Sequence, residues 1–214
     1  IAPSNYIKSA FNAKGYLNIQ VISNSIAINN YPFQERVIDD IALLWVRSFS
    51  NLYNPKLAVE VMHSLKNKGY HVSLCMVGPD NDGSLMEVKT YTKQLGLDVS
   101  FTGKLTKQDW IALSKNYNVF INTTNYDNTP VSIIEAMALG LPIVSTDVGG
   151  LPFLIENNLD GQLVQPNDIE SFVDAILNYK TNPEKTKAII NMARHKAEQF
   201  DWNTIKQKWI STLN

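Results

Sequence analysis

Residues 118–145 read NVFINTTNYDNTPVSIIEAMALGLPIVS, and the order of chemistry along them sets the fold. Residues 118–122 form a short apolar run of strand type, and residues 141–145 form a second. Between them Thr129 suits a helix N-cap and Pro130 the first helical position, where a missing N–H costs nothing. A helix is therefore expected to begin there and to carry the apolar run of residues 131–139, with Gly140 as its stop. Strand, loop, helix and strand in succession make a crossover unit whose two strands run parallel. The amides of Val131 and Ser132 should then point out of the helix start, where the dipole favours phosphate. In such folds ligands collect where strands end and helices begin, which is where Asp127 falls.

Two carboxylates flank this turn, Asp127 before it and Glu135 inside the helix. The neighbours of Glu135, from Ile133 to Leu139, leave almost no polar face, so the acid points into a cleft or is paired. Residues three apart share a helix face, so Ser132 and Glu135 look the same way. Spacing alone fits a solvated helix acid and a turn-forming aspartate equally well.

Outward from this unit the same alternation repeats. Strand-like runs at residues 41–46, 71–77 and 99–102 lead to helical patterns carrying Leu57, Val61 and Leu65, then over residues 84–95 and 107–115. A short strand at 162–164 follows, then helical patterns at 169–179, 184–199 and 202–213. Repeated strand and helix argue for α/β architecture with a doubly wound parallel sheet.

At 214 residues and 44% hydrophobic content the chain can bury one substantial core. Its 19 basic and 20 acidic side chains leave a formal charge of −1, with no bulk basic field to attract nucleic acid. No apolar run approaches the roughly 18 residues of a membrane span, and nothing at the start reads as a signal peptide. A soluble, cytoplasmic protein is expected. Cys75, the single cysteine, sits in an apolar run and reads as a buried structural thiol.

Asp127 and Glu135 with seven residues between them, followed by AMALGLPIVSTDVGG (residues 136–150), resemble the signature of retaining glycosyltransferases of family 4, which have the GT-B fold. The usual wording there is close to EGFGLPxLEAMAxGxPVVAxxxGG, and this chain departs from it in the first half. The resemblance extends outward in the right order. Residues 2–6 (APSNY) and 21–25 (VISNS) resemble segments linking the two domains of such enzymes. Residues 45–49 (WVRSF) and 76–79 (MVGP) resemble the first two strands of the C-terminal domain, and FTGK (101–104), DGQLVQP (160–166) and FDW (200–202) continue it. This implies a Rossmann-like C-terminal domain of a GT-B enzyme over residues 31–200, a linker or tail of an absent N-terminal domain over 1–30, and a C-terminal helix over 201–214. The start at Ile1 fits removal of that domain, and processing would give the same start.

The resemblance also assigns roles. Arg47, one of three arginines, follows a probable central strand and would clamp a donor diphosphate through paired N–H groups; a structural ion pair is the other reading. Asp127 would lie near the donor sugar, its side chain one C–C bond shorter than the usual glutamate. Glu135 would hydrogen-bond the ribose hydroxyls. Thr129 to Ser132 replaces a glycine-bearing turn, and because Pro130 has no N–H, Val131 and Ser132 must supply the amides. The base would rest beside Gly103, Lys104 and Leu105. Relatives carry a Lys-Gly pair where this chain has Tyr53-Asn54, and Lys56 is the candidate replacement cation.

Two further motifs need weighing. Asp80-Asn81-Asp82 spells an Asp-x-Asp triplet, which in another glycosyltransferase class holds a metal, but its glycine-flanked setting is turn chemistry. Gly149-Gly150 is either a turn that lets the backbone approach a donor sugar or a simple bend. The histidines at 63, 71 and 195 show no metal spacing. The expectation is a donor-binding domain that transfers a sugar from a nucleoside diphosphate sugar to a sugar or lipid-linked acceptor, with retention and without metal or cofactor. Its partners would be the nucleotide sugar and the N-terminal domain, through which peripheral membrane contact could arise. A degenerate nucleotide-sugar-binding module and a GT-B epimerase are the alternatives.

Overall fold

The computed structural model describes residues 1–213. In chain order come α1 (Asn5–Asn12), β1 (Ile41–Val46), α2 (Pro55–Asn67), β2 (Val72–Val77), α3 (Ser84–Gln94), β3 (Ser100–Gly103) and α4 (Lys107–Ser114). These are followed by β4 (Val119–Asn122), α5 (Val131–Ala138), β5 (Ile143–Thr146), α6 (Leu151–Leu154), β6 (Gln162–Val164), α7 (Ile169–Thr181), α8 (Pro183–Glu198) and α9 (Trp202–Leu213). All six strands are parallel in one sheet of order β3-β2-β1-β4-β5-β6, the doubly wound arrangement expected from the alternation.

The central strands are apolar throughout because both faces of the sheet are covered. Alternate residues divide between two cores. Leu43, Trp45, Ile121 and Val144 face α2 and α7, meeting Val61, Met62, Phe172 and Ile176. Leu44, Phe120 and Ile143 face α5 and α8, meeting Ile133, Ile134, Met137 and Ala193.

Two arginines tie helix ends together. Arg36 donates to the carbonyls of Ser114, Tyr117 and Leu139 at 3.2, 3.1 and 3.1 Å, joining the C-terminal ends of α4 and α5. Arg194 donates to the carbonyls of Tyr31 at 2.9 Å and Ala138 at 2.6 Å. A guanidinium suits these places because it neutralises several orphan carbonyls at the negative end of a helix.

The stretch before β1 folds back on the domain. Ala2 bridges Val21, Ile26 bridges Asp201, and Ile22 and Ile26 are buried. Asp201 accepts the amide of Ile28 at 3.1 Å, fastening this stretch to the start of α9.

One local expectation is corrected. Pro130, not Thr129, occupies the N-cap of α5, with extended backbone (φ −67°, ψ 121°) and no capping side chain. Thr129 is drawn elsewhere: its hydroxyl donates to Asn128 at 3.5 Å, and its carbonyl accepts from Asn24 at 3.3 Å. The helix therefore begins one residue later, at Val131.

Candidate functional site

The strand order reverses direction between β1 and β4, and a crevice opens at their C-terminal ends. Arg47 directly follows β1 and Asp127 lies on the loop after β4, so the topology brings both to this crevice. Local hydrogen bonds fix how they meet. Trp45 Nε1, within the core, donates to Thr123 Oγ1 at 3.0 Å, and that hydroxyl lies 3.0 and 2.9 Å from the carbonyls of Tyr53 and Asn54. The amide of Asn125 donates to the carbonyl of Leu52 at 2.9 Å. The turn after β1 and the loop after β4 are thereby held together. Across them Arg47 and Asp127 form an ion pair, and the guanidinium lies 4.0 Å from the centre of the Tyr53 ring.

Glycines make this close approach possible. The amide of Gly150 donates to the carbonyl of Asp127 at 2.9 Å, and a Cβ at Gly150 would fall 2.0 Å from the carbonyl oxygen of Asn128. A Cβ at Gly78 would fall 1.8 Å from the carbonyl oxygen of Arg47. The Gly149-Gly150 turn thus packs against the acid-bearing loop itself.

At the start of α5 the amides of Val131 and Ser132 enter no backbone hydrogen bond among the described residues, as the first turn of a helix requires. Ser132 Oγ is buried without a partner. One turn on, Glu135 is 3% exposed. Its Oε1 accepts the Tyr31 hydroxyl at 2.7 Å and pairs with the Lys107 ammonium. Burial, and then the adjacent carboxylate, push the Tyr31 hydroxyl well above its usual range.

These groups line one cleft of about 420 Å³. Arg47, Lys104, Leu105, Asp127, Thr129, Val131, Ser132 and Glu135, all singled out in the sequence, come together there with Lys107 and Trp110. Gly103 ends β3 just before Lys104, its carbonyl accepting the amide of Gly78 at 2.9 Å. Lys56 does not join them. It leaves the crevice on the solvent side of α2, where it lies over the Tyr91 ring at 4.4 Å and 3.8 Å from Glu60. Beside Arg47, the cations that line the cleft are Lys104 and Lys107. A larger hollow of about 740 Å³ lies between α2 and α7, but an ion pair of Lys68 and Glu170 spans its polar wall. It gathers no strand C-terminus at a switch point.

Tyr53 and Asn54, set by the family resemblance where a Lys-Gly pair is expected, behave in distinct ways. Asn54 adopts φ +46°, the left-handed region that glycine enters freely and asparagine tolerates. Tyr53 puts an aromatic face beneath Arg47 where a second cation is otherwise expected.

The Asp80-Asn81-Asp82 triplet caps a helix. Asp80 accepts the amide of Gly83 at 3.0 Å, and Asp82 accepts the amides of Asn51 at 2.9 Å and Ser84 at 3.2 Å. The Asn51 amide above all, with Ser84 and Ser50, holds the Asp82 carboxyl down at about 2.

Tyr31, Lys107 and Trp110 escaped the sequence reading. Lys107 carries a signal, because a cation at the first position of a helix opposes the dipole and needs a local anion. Tyr31 and Trp110 carry none, since a lone aromatic reads as core.

A doubly wound sheet whose switch point gathers a guanidinium, a free helix start and a buried acid defines a Rossmann-like domain of the GT-B glycosyltransferase type. The chain belongs to the group 1 glycosyl transferases, whose family model matches residues 29–196. Among curated proteins it is 26% identical over 156 residues to the sulfoquinovosyl transferase SQD2 of Arabidopsis thaliana, covering 71% of this chain and 29% of that one. To the D-inositol 3-phosphate glycosyltransferase of Saccharomonospora viridis it is 29% identical over 138 residues, covering 61% and 31%. Among solved structures, Anabaena Alr3699/HepE in complex with UDP-glucose superposes with a TM-score of 0.87 at 23% identity, covering 99% of this chain and 62% of that one. The chain thus spans about a third of the length of these two curated relatives. No described helix is long and apolar enough to cross a membrane.

Proposed function

We propose that the cleft binds the donor of a retaining, metal-independent glycosyltransferase of family 4, a nucleoside diphosphate sugar whose sugar passes to a sugar or lipid-linked acceptor in polysaccharide synthesis. The observation that carries this reading is the convergence of Arg47 and the Val131 and Ser132 amides on one cleft beside two acids, Asp127 and Glu135. Arg47 and the helix start hold the leaving diphosphate as the sugar–oxygen bond breaks and the sugar gains oxocarbenium character. Arg47 trades its Asp127 partner for phosphate, and the freed carboxylate faces the donor sugar. Glu135 takes the ribose, and Gly103, Lys104 and Leu105 flank the base. Acceptor binding falls to a second domain of the whole enzyme, and a nucleotide-sugar donor suits a cytoplasmic enzyme.

Calorimetry with UDP, GDP, ADP and their sugars tests the site. One nucleotide should bind, and Arg47→Ala should weaken it about 10- to 100-fold, the range for lost hydrogen bonds to a charged group. The aromatic Tyr53 in the place of a lysine favours one rival, a decayed module that binds no donor. An unchanged melting temperature in millimolar nucleotide sugar would establish that rival, because a ligand of the folded state must raise it.

A further inference from the structure

The two oxygens of Glu135 are not equivalent. Oε1 accepts from both the Tyr31 hydroxyl, at 2.7 Å, and the Lys107 ammonium, whereas Oε2 accepts from no described residue. An ionised oxygen sealed from water and from donors would be costly, and buried polar groups are nearly always satisfied. Oε2 is not sealed: it is absent from the buried side-chain atoms without a partner, and Glu135 lines the cleft.

The groups that commit Oε1 are themselves held. Tyr31 is buried, its amide donates to the carbonyl of Ile28 at 3.0 Å, and its carbonyl accepts Arg194 at 2.9 Å. The same guanidinium holds the carbonyl of Ala138 at the end of α5, so Tyr31 and the helix bearing Glu135 move as one. Lys107 is the first residue of α4, where the dipole disfavours a cation, and its side chain is 55% exposed against 4% for its partner. Its ammonium is therefore placed by Glu135, with N–H groups left over toward the cleft.

Resting on the donor-site reading above, we propose that the ribose contact is split in two, with Tyr31 as a positioning residue for Glu135 and Lys107 as a second binding residue. Glu135 accepts one ribose hydroxyl through Oε2 alone, and Lys107 donates to the oxygen of its neighbour. A vicinal diol fits this pair, because one hydroxyl donates outward while the other accepts. A bidentate contact, with one hydroxyl on each carboxylate oxygen, would need Oε1, which is already taken twice.

The test is calorimetry with the ribo, 2′-deoxy and 3′-deoxy forms of UDP, GDP and ADP on the wild-type chain, Tyr31→Phe and Lys107→Ala. For the base that binds, each deoxy form should bind the wild type about tenfold more weakly, the scale of one hydrogen bond to a charged group. Lys107→Ala should cancel the penalty at one ribose position and keep it at the other. Tyr31→Phe should shrink the penalty that Lys107→Ala leaves, with inorganic pyrophosphate bound as tightly as before. Because Lys107 is exposed, its variant remains informative should Tyr31→Phe fail to fold. Variants that weaken ribo and deoxy forms by one common factor, or change nothing, would overturn the split contact and leave the donor site standing. Failure of every nucleotide to bind the wild type would remove both.

Discussion

Arg47 is held on two sides, and each side constrains what it can do for an anion. Tyr53 covers one face of the guanidinium at 4.0 Å, Asp127 takes Nη2, and Nε is buried with no partner. A planar cation stacked on a ring keeps its edge free, so phosphate would meet the N–H groups end-on. The tyrosine in place of a second lysine therefore supplies orientation instead of charge. Tyr53→Ala should release the guanidinium and weaken pyrophosphate binding about 2- to 30-fold, in line with the ~0.5–2 kcal/mol of a partly desolvated cation–π contact. Tyr53→Phe should match the wild type, because the ring face and not the hydroxyl makes the contact. Equal binding by all three, measured by calorimetry with pyrophosphate, would reduce Tyr53 to a spacer.

Loops between elements set the position of the acids, and the glycine turn after β5 is where this can be probed. Gly150 has ordinary helical backbone (φ −88°), so an alanine there suffers no torsional strain, yet its Cβ would lie 2.0 Å from the carbonyl oxygen of Asn128. Gly150→Ala should push the Asp127–Asn128 loop outward and cost about 1–3 kcal/mol, the usual scale of overpacking, read as a lower urea midpoint. It should also part Asp127 from Arg47. The six strands, every helix but α1 and the short α6, and the crevice at the strand ends were legible because apolar period and turn chemistry are local signals. Arg47, Asp127 and Glu135 could be placed at one sheet edge on those grounds together with family resemblance. Their partners could not. Arg47 meets Asp127 across 80 residues, Glu135 meets Tyr31 across 104 and Lys107 across 28, and pattern carries no information at such separations. Thr129 failed as a cap for the same reason, since Asn24, 105 residues away, competes for its backbone. Lys56 was the candidate cation because it follows Tyr53-Asn54 closely in sequence, but helix direction carries it out of the crevice.

Across the whole molecule the sheet edge is fastened by carboxylates that act as caps and ties, which gives stability a defined dependence on acid. Asp82 is held at about 2, first by the Asn51 amide, and ties the turn after β1 to the start of α3. Asp168 is lowered by Ser171 at the N-cap of α7, Glu170 by Lys68, and Asp201 by the Ile28 amide that binds the early segment to α9. Each folded value lies below its unfolded counterpart of about 4, so between the two values the unfolded chain binds more protons and stability rises with pH. The contribution is complete above about pH 5 and is lost progressively as pH falls from about 4 toward 2. Urea midpoints should accordingly be level from pH 7 to 5 and drop steeply below 4. Asp82→Asn isolates one tie. The variant should be weaker than the wild type at pH 7, with the gap closing as pH nears 2, where the wild-type carboxyl is itself half protonated. Because Asp82 also anchors Ser50 and Asn51, just ahead of Tyr53, Asp82→Asn should weaken nucleotide binding at pH 7 as well. A gap that stays constant across that pH range would mean that Asp82 acts through shape alone and not through its charge.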